Sequence, residues 1–438
     1  MTMDKKHLKH RKALRLGATT LALCLSLSAA GMIASGTQVQ AAGDIEIHGP
    51  RISKPGETEP LNPGMVVGVR AGGNYNEFNS LAEGFKMAAH KSKVVIKLFR
   101  DTEVSDMIWG AGDMKEATLD LNGHTIRRAG ASRSSNGGII GLESGSELSI
   151  ISTGGQGSFQ NASSSDDGGC FSVKEGARLT ADGIRIEHTG TSGRGGALYN
   201  DGGYVDLRAV SISECSASKD GGAIYHNKGQ MYIRECTIAD NRSEKDGGGI
   251  AIAGENVEIY NSQILRNFAS GDGGGIWVND NKVFLVGGEI KANMADYGGG
   301  VYVDSKRDIN IQGKLIIEEN KTTSNDESNL VLQDGIASSA RAYDGGLLPG
   351  SRIGINKTKG LNSGYKAVIG ATDYELNNGY FFADRGKLEL RDTSQKEEVF
   401  MATAVDSYGW GIALLIVLEL IGAGYVIYLV RKRKLKVK

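Results

Sequence analysis

The chain has 438 residues, 40% of them hydrophobic, with 63 Gly, only 5 Pro and a formal net charge of −1. Once the basic clusters at its two ends are set aside the remainder is acidic, which argues against a nucleic-acid partner. Cys170, Cys215 and Cys236 lie outside the N-terminal apolar run, an odd number that excludes a closed disulfide framework and predicts free, partly buried thiols.

Residues 1–42 read as a secretory signal. Lys5, Lys6, Lys9, Arg11, Lys12 and Arg15 precede an apolar run from Leu16 to Ile33, and Val39-Gln40-Ala41 supplies a small-x-Ala cleavage pattern ending at Ala41 or Ala42. Residues 43–76, with Pro50, Pro55, Pro60 and Pro63, read as a flexible leader. Residues 77–130 are expected to hold an N-terminal cap and the first coils. Leu81, Ala82, Phe85, Ala88 and Ala89 fall at helical spacing, Val94 to Leu98 reads as a strand, and Thr118 to Ile126 reads as an early coil. A helix at this place would cover an open sheet end, whose unpaired edge is otherwise an aggregation hazard.

Residues 131–322 carry the main signal. Gly137-Gly138 and Gly168-Gly169 are degenerate forerunners of the doublets Gly195-Gly196, Gly221-Gly222, Gly247-Gly248, Gly273-Gly274 and Gly298-Gly299, which recur at steps of 26, 26, 26 and 25 residues. Each regular doublet is followed by a small residue and a branched apolar one. A second landmark, Ile-x-x-Asn, recurs in register and ends at Asn241, Asn267, Asn293 and Asn320, with Cys215 at the start of the series. A period in this range signals stacked coils. Alternation of Ile250 and Ile252, Ile276 and Val278, Val301 and Val303 marks a strand with one buried face. Two further short runs complete three strands and three turns per repeat, which leaves no room for a helix. The fold class is therefore all-β, a single-stranded right-handed parallel β-helix with an N-terminal capping helix and a C-terminal transmembrane helix. Stacking puts each Asn about 4.8 Å from the next, where side-chain amides can bond along the stack.

These repeats resemble the GGA[ILV] and FxxN motifs of the chlamydial polymorphic membrane proteins and related bacterial β-helix surface proteins, over roughly residues 119–322, with Ile in place of Phe in every FxxN copy. The resemblance implies a secreted, adhesin-like surface solenoid. A β-barrel end of the kind that family carries is not expected here.

Residues 323–392 lose the doublet but keep strand-like runs and read as irregular terminal coils, and 393–408 read as a short stalk. Residues 409–430 are apolar enough to span a hydrocarbon core of about 30 Å, and Arg431 to Lys438 is a basic tail expected on the cytoplasmic side. The expected location is a cell membrane of Gram-positive type, single-pass, with the solenoid outside.

Three constellations could carry chemistry. Tyr199, Tyr225, Trp277 and Tyr302 follow the doublets and would project outward as an aromatic strip for a glycan or protein ligand; the competing reading is cross-strand pairing without a ligand. Asp220, Asp246 and Asp272, with Asp167 before them, precede the doublets and could bridge Ca²⁺; the competing reading is an Asx-type cap on the Gly turn. Asp166, Asp167, His188, His226 and Arg208 are the raw material for a tethered polysaccharide lyase or glycoside hydrolase. They match no active-site motif, so no catalytic residue is assigned.

Overall fold

The computed structural model describes residues 62–402 apart from 111–113, 131–137, 281, 305–306, 334–338, 358–364, 370–378, 385–386 and 393–396, all within the unit Ile52–Lys438. The expected signal, most of the leader, the membrane span and the basic tail lie outside the described residues. Among the described residues no helix is long and apolar enough to cross a membrane.

The chain winds into a parallel β-solenoid because every repeat pairs with the repeat before and after it in the same register. Leu198 lies beside Ile224, Ile224 beside Ile250, Ile250 beside Ile276, Ile276 beside Val301 and Val301 beside Leu330. A shift of one residue would turn every inward Ile to solvent, so the apolar alternation fixes the register. The inward residues form one continuous core from Val67 to Phe381, reinforced by an edge-to-face pair of Phe159 and Phe171 at 4.8 Å.

Each regular coil holds one strand more than the apolar periods reveal. In one coil Ile250–Ile252, Val257–Tyr260 and Gln263–Leu265 are followed by the two-residue strand Phe268–Ala269, and its counterparts build a separate seven-stranded sheet. Two residues are too few to show a period of two.

Four positions per coil adopt left-handed backbone, one of them between the first two strands at Gly176, Gly202, Gly229, Asn256 and Lys282. The first glycine of the doublet is another, from Gly168 through Gly298. Gly183, Ala209, Glu235, Asn261 and Gly287 form the third, and Asn161, His188, Glu214, Asp240, Arg266, Ala292 and Glu319 the fourth. The ladder Asn residues are therefore not the left-handed ones; the residue just before each is. Only the doublet corner demands glycine throughout, because a Cβ on Gly247 would lie 2.5 Å from the Ile250 carbonyl oxygen.

Upstream, Val67–Ala71 pairs antiparallel with both Asn74–Phe78 and Val94–Leu98 before parallel stacking begins at Ala117–Asp120. Helix α1, Leu81–Ala88, starts where helical spacing predicts it. Ser80 caps it by accepting from the Glu83 N–H (3.2 Å), and Leu81, Gly84, Phe85 and Ala88 form its buried side. Downstream, Leu330–Leu332, Arg352–Lys357 and Phe381–Ala383 continue the parallel stack. Residues Glu397–Ala402, expected in a stalk, instead form a strand paired antiparallel with Tyr365–Ile369 and Lys387–Asp392.

Candidate functional site

The outward position of the doublet strand forms a column that register defines as Trp109, Gly141, Ser172, Tyr199, Tyr225, Ala251, Trp277, Tyr302 and Val331. The expected aromatic strip is present but mostly closed. Tyr199, Tyr225 and Tyr302 are only 7%, 6% and 4% exposed, and Trp277 is half-buried against the same small cluster. The cause is crowding along the column. Tyr199 and Tyr225 stack at 5.6 Å with an interplanar angle of 16°, Lys174 lies over Tyr199, the Arg194 guanidinium lies 5.1 Å over Tyr225, and Tyr302 is hydrogen-bonded to Asp272. Burial, with Asp201 and Asp167 nearby, pushes the Tyr199 phenol up to about 12. These rings are therefore engaged by ring, cation and carboxylate neighbours rather than offering a flat strip.

The aspartate column is likewise used internally. Asp167 Oδ1 accepts from the Arg194 N–H (2.7 Å), Asp220 Oδ1 from the Asp246 N–H (3.4 Å) and Asp246 Oδ1 from the Asp272 N–H (2.8 Å). Each carboxylate caps the next coil, not its own turn. Among the described residues no three His, Cys, Asp or Glu side chains gather as a metal site, so Asp220, Asp246 and Asp272 do not converge as Ca²⁺ ligands; stacking spreads them along the column. Burial, then the charges of Asp246 and Asp296, raises Asp272 to about 7.

The asparagine ladder is fully bonded. Asn241, Asn267, Asn293 and Asn320 are buried, and each Nδ2 donates to the next amide oxygen at 2.9 to 3.0 Å, with Asn320 donating to Asn329. The second amide hydrogen of each goes to the carbonyl of Ile212, Ile238, Ile264 or Ile290. The far end is terminated by Asp384, whose Oδ1 accepts from Asn329 Nδ2 at 2.7 Å. Neither Asn329 nor Asp384 carries the Ile-x-x-Asn spacing, so sequence reasoning misses both. At the near end the Cys215 N–H donates to Asn241 Oδ1 (3.0 Å), and burial pushes the Cys215 thiol up to about 11. Cys170, Cys215 and Cys236 are all free and buried.

The residues considered for sugar cleavage are not brought together. His226 points inward beside Asn200 and Ile252. Asn200 Nδ2 donates to its Nδ1 (3.2 Å) and its Nε2 donates to the Glu255 carbonyl (3.1 Å), and burial lowers its pKa to about 4. A ring with both nitrogens occupied in the core is a structural group. His188 instead pairs with Glu214 (3.0 Å) in a separate cleft with Arg128 and Asn161. Arg208 lies near Glu235 at 4.0 Å.

One opening remains in the outward column. Between Trp109 and Tyr199 the column carries only Gly141 and Ser172, and there a cleft of about 430 Å³ opens, lined among others by Trp109, Asp166, Asp167, Ser172, Lys174 and Tyr199. The indole lies across Gly141, where a Cβ would come within 2.5 Å of the ring, and Trp109 is 40% exposed. Trp109 precedes the first doublet, so the repeat gave no reason to align it with Tyr199. The only sequence signal was its place between Ile108 and Gly110, both buried.

Residues 148–327 match the protein family described as right handed beta helix region. With the parallel stacking above, this gives the solenoid its right-handed sense. No curated protein and no solved structure matches this chain.

Proposed function

We propose that this chain is a membrane-anchored extracellular β-helix surface protein with an adhesin-like role, binding a host, matrix or cell-surface glycan or protein. The observation that carries this reading is the cleft at Trp109. A large aromatic side chain left 40% exposed at a polar cleft, in a column whose tyrosines are buried, supports a recognition surface. Its placement at a cell surface rests on the basic and apolar start of the chain and on the apolar run Trp410 to Val430 with its basic tail. Helix α1 fits the role of a cover for the first coils, since it packs over Val67.

The enzymatic alternative, a tethered polysaccharide lyase or hydrolase, has no comparable support: Asp167 is engaged by Arg194, and His226 is sealed in the core. Two measurements test the proposal. Membrane-impermeant biotinylation of intact cells should label lysines of the solenoid and spare the 431–438 tail, and the full chain in detergent should be retained on an array of glycans and matrix proteins. Labelling of the tail alone, or release of unsaturated products or reducing ends from polysaccharides, would overturn it.

A further inference from the structure

We infer that the Trp109 cleft receives a neutral glycan segment of one or two pyranose rings, with a sugar face stacked on the indole. This rests on the reading of the chain as a binding protein and adds the place and the ligand class.

The platform comes first. Among the described residues only Tyr75, Trp109, Tyr297 and Leu348 are large hydrophobic side chains left exposed, and of these Trp109 alone lines the cleft. Its ring lies against the bare backbone of Gly141 and stays 40% exposed. A flat, CH-rich ligand face can settle on an aromatic ring exposed in this way. Trp277, the other tryptophan of the column, packs against the Tyr225 and Ala251 cluster and is half-buried.

The ligand class follows from the charge balance. Asp166, Asp167, Lys174 and Lys219 all line the cleft, two carboxylates balanced by two ammonium groups. The second charges are already committed: Asp167 accepts from the Arg194 N–H at 2.7 Å, and Lys174 pairs with Asp201 at 3.6 Å. A uronate polymer would need surplus cations and an amino sugar surplus anions. A neutral sugar needs neither. It needs acceptors and donors for hydroxyl groups, which the carboxylates, the ammonium groups and the exposed Ser165 hydroxyl supply. At about 430 Å³ the cleft sits toward the low end of small-ligand pockets, about 300–1,000 Å³, which limits the segment to a short one.

Isothermal titration of the full chain in detergent with chitotriose, cellotriose, mannotriose and trigalacturonate tests this. At least one neutral trisaccharide should bind, and trigalacturonate at least tenfold more weakly. Trp109→Ala should weaken that binding at least tenfold and Trp109→Phe should restore most of it, with the melting transition unchanged in both. Ser172→Leu, which fills the floor, should block binding as well. Equal affinity of parent and Trp109→Ala would show that the sugar sits elsewhere and sink the cleft while leaving the binding function intact. Tighter binding of trigalacturonate would refute the neutral class. If no trisaccharide binds but a protein on the array does, the glycan inference falls and the adhesin reading stands; if nothing on the array binds, both fall.

Discussion

The coils from Gly195 to Val303 and those from Thr102 to Lys174 share a core and a register but differ in how fully their outward side chains are used. In the first region each ring, carboxylate and amide has its neighbour one coil away: Tyr199 on Tyr225, Asp220 on Asp246, Asn241 on Asn267. In the second the outward column drops to Gly141 and Ser172 and leaves Trp109 unsupported by a second ring. Strict repetition satisfies side chains against copies of themselves, so it stabilises without leaving anything to recognise. A break in the repeat leaves groups to spare, and the cleft lies at that break.

The largest expected effect tests the tightness of the regular region. A Cβ on Gly248 would lie 2.4 Å from both the Gly274 carbonyl oxygen and the Phe268 carbonyl carbon, backbone atoms of the next coil that cannot swing away. Gly248→Val should cost about 5 kcal/mol in denaturant unfolding. Next is Asn267→Leu, which removes the acceptor used by both the backbone N–H and the Nδ2 of Asn241. Leaving two buried donors unpaired should cost about 4 kcal/mol, and Asn267→Asp should recover little, since its donor to Asn293 is also lost.

Two titrations with opposite signs sharpen the comparison further. His226 is held neutral with a folded pKa of about 4 against an ordinary 6.5. The unfolded chain binds the extra proton first, so stability should be full above pH 6.5 and fall by about 3 kcal/mol as pH drops toward 4. His226→Leu should flatten that limb of the pH profile. Asp272 runs the other way: raised to about 7 from 3.8, it holds its proton longer in the folded chain, so its contribution is greatest in acid and declines between pH 4 and 7. Asp272→Asn should remove that decline, measured as the difference from the parent in urea unfolding at pH 5 and 8. If the Asn variant keeps the same slope, the carboxylate stack is not the source.

The smallest effect belongs to the irregular region. Gly141→Ala meets the Trp109 ring at 2.5 Å, but that ring is partly exposed and can move. It should cost about 1 kcal/mol or less, while turning the indole out of the cleft. A loss as large as that of Gly248→Val would mean that the two regions are equally tight and that the opening is no weaker point of the fold.

The repeat period determined the solenoid, its inward residues and the buried asparagine ladder without reference to the fold, because each depends on spacing alone: an inward Ile every second residue, and an Asn every coil. The helix at Leu81–Ala88 was legible for the same reason, through its apolar spacing, whereas the Ser80 cap came only with the structure. Only the tertiary structure decided what the outward residues do. Alternation tells which way Tyr199 and Tyr302 point, but not that the neighbouring coils and the doublet turns cover them, and the same alternation turned His226 inward, where its two bonds come from Asn200 and Glu255, residues 26 and 29 positions away. The site at Trp109 and the end of the ladder at Asp384 were illegible because both lie where the period fails. There the contacts are set by which coil happens to lie next in space, a quantity that no spacing along the chain records.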